Sequence, residues 1–307
     1  MDNKKSLLIT IAGPTAVGKT SLSIQLAKEL NTSIFSSDSR QFYREISIGT
    51  AKPNNEELTA VKHYFINNKS IHDVYSAGDY ENEIISELEL FFREEEIAFL
   101  VGGSGMYINA VLKGLDNLPK DLKVRADLNN RFKKNGIITL QNELKKLDPA
   151  HYKNIDIHNP QRIIRSLEVC LITGKPYSSF LSNSTKKRLF SNLKFLLFLD
   201  KEILYNNINL RVDNMIKNGL IEEVESFKNL KNLNALNTVG YKEIFDYLNG
   251  KIDKESAIEM IKINTKKYSK RQMTWFKKDP TYQWIENNDI EKSKKSILNK
   301  IKEFKYD

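Results

Sequence analysis

The stretch "TIAGPTAVGKTSLS", residues 10–23, constrains the fold more than any other part of the chain. Gly13, four further residues and then Gly18-Lys19-Thr20 have the spacing of a phosphate-binding loop. The apolar run "SLLITIAG" before the loop predicts a buried strand, and "KTSLSIQLAKEL" after it predicts a helix. Strand, glycine loop and helix in this order indicate a phosphate site, of the kind that usually holds ATP or GTP.

Further strands are predicted at 32–39, 97–105 and 193–200, each a short apolar run with helical patterns around it. This alternation favours an α/β fold, a P-loop kinase-like parallel sheet flanked by helices. From about 118 to 188 the chain is polar, charged and helix-periodic, which predicts a helical insertion domain. We therefore expect a P-loop core domain formed by 1–117 and 189–307, interrupted by that insertion.

The net charge does not decide whether the protein binds nucleic acid or only has a basic, soluble surface. The net charge is +9, from 48 Lys and Arg against 39 Asp and Glu, which suits a polyanionic partner or a soluble surface. Residues 260–278 hold seven basic residues and no acidic one. They predict an RNA-backbone contact or an amphipathic helix with a solvated basic side.

The single cysteine and the lack of a long apolar run predict the compartment of the protein and its relation to membranes. Cys170 is the single cysteine, so no disulfide can form within the chain, and a reducing cytosol is expected. No apolar run approaches the roughly 18 to 20 residues that cross a bilayer. We expect a cytoplasmic protein with no membrane partner.

Three segments place reactive groups where strands end, which is where parallel sheets bind ligands. Asp38 in "SSDSRQFY" could ligate a metal, accept a proton or cap a helix. Gly102, Gly103 and Gly105 around Ser104 indicate close approach of backbone to a ligand, or a tight turn. Asp200 ends the apolar run "FLLFLD", as the magnesium-binding Asp does in many nucleotide hydrolases, and supports an ATPase hypothesis.

Two further signals point to phosphate. Lys19 is expected to reach an outer phosphate, while the Thr20 hydroxyl ligates Mg²⁺. Arg162 and Arg165 share a helical face after a start signal at Asn159-Pro160. Paired guanidinium groups suit phosphate or a nucleic-acid backbone, although a solvated face is the alternative.

Taken in order, eight runs resemble the tRNA dimethylallyltransferase family in its bacterial form, without the Cys/His zinc finger of eukaryotic relatives. They span about residues 10 to 278: "GPTAVGKT", "SSDSRQFYREISIGTAKP", "DVYSAGDY", "LVGGSGMYINAVLKGL", "NPQRIIRSLEVCLITGKP", "RVDNMIKNGLIEEV", "TVGYKE" and "TKKYSKRQMTWF". The resemblance implies that the loop holds the diphosphate of dimethylallyl diphosphate. The prenyl group would pass to the exocyclic amine of the adenosine 3′ to the anticodon of tRNA.

The same resemblance implies roles by position. Asp38 would be the general base, with Ser104 and Arg125 beside the reacting groups and Mg²⁺, held by Thr20, as cofactor. Most members have threonine where this chain has Ser104, and Asn237-Thr238 also departs from the family pattern. The diphosphate would lie on Gly13, Pro14, Thr15, Ala16, Val17, Gly18, Lys19 and Thr20. The tRNA anticodon stem-loop would contact Asp38, Ser39, Arg40, Gln41, Gln161, Arg162, Ile163, Ile164, Arg165, Gly240, Tyr241 and Lys242; the basic segment adds Lys270 and Arg271.

Three alternatives remain open at this point. An adenylate isopentenyltransferase would share the loop and use a free nucleotide as acceptor. A P-loop nucleotide kinase or ATPase would use the loop and Asp200 for ATP. A non-catalytic RNA-binding protein would keep the loop only as structure. For the tRNA dimethylallyltransferase that the chain resembles, we expect a monomer.

Overall fold

The computed structural model describes residues 6–182 and 184–306. The chain divides into two compact units, one formed by residues up to 112 together with those from 187 onward, the other by 113–186. The predicted insertion, 118–188, overlaps the second unit.

The first unit is built on a parallel sheet, as the alternation of strands and helices predicts. Among the described residues the sheet has six strands, in the order β3-β2-β4-β1-β5-β6, and every neighbouring pair is parallel. The strands are β1 Leu7–Ala12, β2 Ile34–Ser36, β3 His63–Tyr64, β4 Ile97–Gly102, β5 Ser191–Phe198 and β6 Gln283–Glu286. β3 and β6 lie at the sheet edges, and neither has the apolar run that predicted the other four.

Helices cover the sheet and make up the second unit. Their bounds are α1 Lys19–Glu29, α2 Asn55–Ala60, α3 Ala77–Phe91, α4 Gly105–Leu112, α5 Leu122–Asn135, α6 Ile137–Leu147, α7 Pro149–Tyr152, α8 Pro160–Thr173, α9 Lys201–Lys217, α10 Leu220–Glu225, α11 Tyr241–Leu248, α12 Lys254–Phe276 and α13 Ile290–Tyr306. Among the described helices, none combines the length and the apolar composition of a membrane-spanning segment.

The register of the central strands brings three loops to one edge of the sheet. Ala12, at the end of β1, lies opposite Gly102 at the end of β4, and β2 pairs with β4 up to Ser36. Ile9, Phe99 and Phe195 are fully buried in the core that joins these strands to their helices. Because the strands are parallel and end together, the segments that follow β1, β2 and β4 meet at the carboxyl edge.

A second apolar cluster in the same unit supports that edge from one side. Leu220 of α10, Tyr241 of α11 and Ile261 of α12 are buried together. Tyr43 and Ile46, which follow β2, pack into the same cluster. The loop after β2 is therefore held against α10, α11 and α12.

The regular secondary structure described in the second unit is all helical. α5, α6 and α8 pack around Leu128, Leu140 and Ile163. The start signal at Asn159-Pro160 is confirmed, since the Asn159 side chain accepts hydrogen bonds from the first N–H groups of α8. Cys170 is buried in this core, and burial raises the pKa of its thiol, so it is an apolar packing residue.

Candidate active site

The loop between β1 and α1 has the backbone of an anion-binding nest. Ala16 (φ 64°) and Gly18 (φ 90°) have left-handed conformations, which turn successive N–H groups inward at the start of α1. A Cβ on Gly13 would lie 2.8 Å from the Leu197 carbonyl oxygen of β5. A side chain at Gly13 would therefore displace the loop from the sheet.

Lys19 lies inside this loop. Its Nζ donates hydrogen bonds to the carbonyl oxygens of Gly13 (3.0 Å) and Pro14 (2.8 Å). Burial, and after it the charge of nearby Arg211, lower the pKa of Lys19 to about 7, while Asp38 acts in the opposite direction. An entering anion would favour the charged form of Lys19 and offset its burial.

Distant side chains hold the outer surface of the loop. Asn287, after β6, donates to the Val17 carbonyl at 2.8 Å. The Thr15 N–H donates to Oε1 of Gln272 on α12 at 2.9 Å. Only the tertiary structure brings these partners to the loop, and no local pattern marks them as site residues.

Asp38 follows β2 and faces the same edge. Its Oδ1 accepts a hydrogen bond from the Arg40 N–H at 2.9 Å, which closes a turn, and no helix begins there. The helix-capping alternative for Asp38 is therefore wrong. The carboxylate lies in the cavity at the edge of the sheet.

Ser104 joins the loop after β4 to the Asp38 segment. Its Oγ accepts a hydrogen bond from the Ser39 N–H at 3.2 Å, so the hydroxyl orients the turn that carries Asp38. The neighbouring glycines are explained by protein contacts. A Cβ on Gly102 would lie 2.3 Å from Ser37 Oγ, and one on Gly103 would lie 2.2 Å from Gln272 Nε2.

A cavity of about 510 Å³ opens where these segments meet in the first unit. Predicted site residues that line it are Thr15, Lys19, Thr20, Asp38, Ser39, Arg40, Gln41, Gly240, Lys242 and Arg271. Residues that line it without having been predicted include Arg211, Glu243, Asn264, Tyr268 and Gln272. They all lie on α9, α11 and α12, far from the glycine loop in sequence.

Two of these additional residues are half-buried groups that can carry charge. Burial lowers the pKa of Arg211, and Asp38 partly restores it. Burial raises the pKa of Tyr268 to about 12, with Asp38 contributing in the same direction. The described lining of the cavity carries more basic than acidic side chains, with Lys19, Arg40, Arg211, Lys242 and Arg271 against Asp38 and Glu243. This balance suits an anionic ligand.

The segment "IGTAKP" is held by Glu223 of α10, a role that its composition does not reveal. The Glu223 carboxylate accepts hydrogen bonds from the N–H groups of Ser47 (2.8 Å), Ile48 (2.8 Å) and Gly49 (3.0 Å), and from the Tyr241 hydroxyl (2.5 Å). A Cβ on Gly49 would lie 2.4 Å from the Tyr241 ring. Tyr241 is itself fully buried, so it supports the cavity wall from behind.

Two of the predicted residues of the second unit, Arg125 and Arg165, contact Glu168. Arg125 and Arg165 both pair with its carboxylate, the latter at 2.7 Å. Although burial acts to raise the pKa of Glu168, hydrogen bonds from the two arginines hold it below its ordinary value.

The segment 161–165 on α8 divides between surface and core. Ile163 and Ile164 are buried in the apolar core of the second unit, whereas Gln161 and Arg162 are exposed. Of these four residues, Gln161 and Arg162 are therefore the two that a partner molecule can contact.

Asp200 does not belong to the cavity. It caps α9, accepting a hydrogen bond from the Glu202 N–H at 2.8 Å, and it is absent from the described residues that line the cavity. The main support for the ATPase hypothesis is thereby removed.

Comparison with known proteins finds relatives over most of the chain. The model of the family described as IPP transferase matches residues 41–279. The chain is 51% identical over 287 residues to the tRNA dimethylallyltransferase of Christiangramia forsetii, covering 93% of this chain and 95% of the relative. It is 48% identical over 286 residues to that of Flavobacterium johnsoniae, covering 91% and 93%.

Solved structures show the same fold. The tRNA isopentenylpyrophosphate transferase of Bacillus halodurans is 35% identical, with a TM-score of 0.71 over 97% of this chain and 96% of that one. A eukaryotic dimethylallyltransferase acting on tRNA is 26% identical, with a TM-score of 0.75 over 93% and 75%.

Proposed function

The chain belongs to the IPP transferase family, and on that premise we propose that it transfers the dimethylallyl group of dimethylallyl diphosphate to tRNA. The acceptor is the exocyclic amine of the adenosine 3′ to the anticodon, and diphosphate is released. One observation carries this proposal. Lys19 of the glycine loop and the carboxylate of Asp38 line the same cavity, as a reaction between an allylic diphosphate and an amine requires.

The nest, Lys19 and Arg211 would hold the leaving group. As the bond between the allyl carbon and oxygen breaks, negative charge gathers on the diphosphate and positive charge on the allyl carbon. Fixed cations and backbone N–H groups stabilise the diphosphate without reorganising. Mg²⁺, when bound, would neutralise part of the same charge, held by the Thr20 hydroxyl together with phosphate oxygens and water, the hard ligands it prefers.

Asp38 would act as the general base. The amine nitrogen forms a bond to the allyl carbon as the carbon–oxygen bond breaks, and the Asp38 carboxylate takes the amine proton. Its hydrogen bond with the Arg40 N–H fixes one oxygen, while the cavity remains open to substrate. A positioned base contributes about 10²- to 10⁴-fold to such a step.

The acceptor adenine would have to leave its stack to reach this cavity. Unstacking costs a few kcal/mol and is least costly in a loop, which suits an anticodon stem-loop. Arg40, Lys242 and Arg271 on the cavity wall would contact the RNA there. In the second unit, Gln161 and Arg162 would add contacts, and Arg125 would take the position beside the reacting groups that the resemblance implies. We place the reaction in the cytoplasm and propose a monomer.

A single set of incubations tests the proposal. The protein is mixed with Mg²⁺, labelled dimethylallyl diphosphate and a tRNA transcript, AMP, or tRNA with ATP. We expect label in tRNA alone. Label in AMP would support an adenylate isopentenyltransferase, phosphate release from ATP without prenyl transfer would support a kinase or ATPase, and tRNA binding without transfer would support a non-catalytic RNA-binding protein.

A further inference from the structure

A second concave surface lies on α12, next to the cavity. We call it the Trp275 patch; it is formed by Lys267, Lys270, Arg271, Thr274, Trp275 and Lys278 and encloses about 380 Å³. Trp275 is 40% exposed. A tryptophan with so much exposed surface has a large apolar face available for a partner.

The indole of Trp275 is fixed from one side. A Cβ on Gly105, the first residue of α4, would lie only 2.1 Å from Trp275 Cδ1, so the ring rests directly against that backbone. A ring supported in this way loses little conformational freedom when a planar ligand stacks on its open side.

The charges of the patch differ from those elsewhere on the same helix. Lys262 pairs with Asp213 at 2.9 Å and with Glu259 at 3.2 Å. In contrast, Lys267, Lys270 and Lys278 form no ion pair with a described carboxylate. Uncompensated cations around an exposed aromatic ring are the arrangement that binds single-stranded nucleic acid.

The patch is continuous with the active site. Arg271 lines both the cavity and the patch. On the other side, Gly105 directly follows Ser104, whose hydroxyl accepts a hydrogen bond from the residue after Asp38. A nucleotide bound on the patch and a base held in the cavity would therefore both contact Arg271.

We propose that the Trp275 patch binds an unpaired nucleotide adjacent to the modified adenosine, with its base stacked on the indole and its phosphates on the surrounding cations. This inference rests on the proposed function, since it assigns the neighbour of the adenine that enters the cavity. Stacking replaces part of the base stacking that the RNA loses when the adenine leaves the loop. A stack on an aromatic side chain changes RNA affinity by about 5- to 150-fold.

The chain offers a direct measurement, because it has two tryptophans, Trp275 and Trp284. Trp284 lies on β6, is 44% exposed and contacts Phe198. In the Trp284→Phe variant the fluorescence comes from Trp275, and we expect an anticodon stem-loop RNA to quench it. In the matched Trp275→Phe variant the fluorescence comes from Trp284, and we expect the same RNA to leave it unchanged.

Binding and kinetics provide the second readout. Trp275→Leu should weaken RNA binding about 5- to 150-fold and leave KM for dimethylallyl diphosphate within a few-fold, whereas Trp275→Phe should retain most of the affinity. An abasic nucleotide beside the target adenosine should remove the difference between the parent and Trp275→Leu.

The proposal is overturned if RNA does not quench Trp275, or if Trp275→Leu binds RNA as the parent does. It is also overturned if the Trp275 signal depends on protein concentration without RNA, which would assign the patch to self-association. Failure of the proposed function is separate: it would appear as absence of prenyl transfer to tRNA by the parent protein, whatever the fluorescence shows.

Discussion

Gln272 joins the phosphate-binding loop to the loop after β4. Its Oε1 accepts the Thr15 N–H at 2.9 Å, and its Nε2 donates to the Gly103 carbonyl oxygen at 2.9 Å. The side chain is 7% exposed, so neither hydrogen bond is easily replaced by water. One amide therefore links the glycine loop after β1 to the loop that carries Ser104.

Replacing Gln272 by Glu tests this link. The carboxylate can still accept from Thr15, but its second oxygen would face the Gly103 carbonyl oxygen, leaving a buried group unsatisfied at a cost of about 1–3 kcal/mol. We expect KM for dimethylallyl diphosphate to rise about 5- to 150-fold, which is that cost as a ratio, and tRNA affinity to change little. Gln283→Glu, on β6 outside the cavity, is the matched control; equal kinetics for both variants would contradict the assignment.

Asp38→Asn tests the general base while preserving the turn. The amide oxygen can still accept the Arg40 N–H, so the loop keeps its conformation, but the group can no longer take a proton. Single-turnover transfer should fall by about 10²- to 10⁴-fold, with tRNA affinity within a few-fold of the parent. Asp200→Asn, at the cap of α9, should transfer normally. An active Asp38→Asn variant would mean that another group accepts the amine proton.

Arg211→Gln tests whether Arg211, like Lys19, helps to bind the diphosphate. Hydrogen bonds to a charged group contribute about 1.5–3 kcal/mol, so KM for dimethylallyl diphosphate should rise by about 10- to 150-fold. Steady-state kinetics at saturating tRNA would measure this. Lys217→Gln, exposed near the end of the same helix, serves as the control. If KM for the diphosphate is unchanged and tRNA affinity falls, Arg211 contacts the RNA.

Lys19 makes diphosphate binding depend on pH. Its pKa of about 7 in the free protein lies below the ordinary value of 10.5, and a bound diphosphate favours the charged form. Binding at pH 8 should therefore take up a proton that binding at pH 6 does not require. Calorimetry in buffers of different ionisation enthalpy measures the proton uptake. Lys19→Met is the control, because any uptake that remains in this variant comes from titration of the ligand.

The same residue affects the stability of the free protein. Between pH 7 and 10.5 the unfolded chain holds a proton on Lys19 that the folded chain has released. The free energy of unfolding should therefore increase as pH rises through this window. Below pH 7, Lys19 is charged in both states, so the cost of burying its charge lowers the stability in full. Lys19→Met should lose that slope in denaturant titrations; an identical slope in both proteins would contradict the lowered pKa.

Glu223→Gln tests the anchor of the loop after β2. The carboxylate accepts hydrogen bonds from three backbone N–H groups and from the Tyr241 hydroxyl. In the variant, the NH2 group of the amide would face some of these donors and leave them without an acceptor. We expect a loss of about 1–3 kcal/mol in the free energy of unfolding, measured by urea titration. Glu225→Gln, exposed on the same helix, should change stability by less than about 0.5 kcal/mol. A stable Glu223→Gln variant would show that the apolar cluster alone holds the loop.

Local sequence signals predicted the elements whose apolar runs and turns are self-contained. β1, the glycine loop and the start of α1 form as expected, and Asn159 caps α8. Edge strands β3 and β6, two and four residues long, were missed because they are stabilised by pairing with a neighbour. Asp200 was misleading, because an Asp after an apolar strand can cap the next helix as readily as it can bind a metal.

The sequence by itself determined the phosphate-binding loop, the parallel α/β fold and the family, because each depends on short contiguous patterns in a given order. Only the tertiary structure decided how that loop is supported and what surrounds it. Thr15 and Gln272 are 257 residues apart, and Arg211 and Glu223 reach the site from helices that follow β5. Such contacts arise because parallel strands end at one edge of the sheet and bring distant segments together there, an effect of packing that no local pattern records.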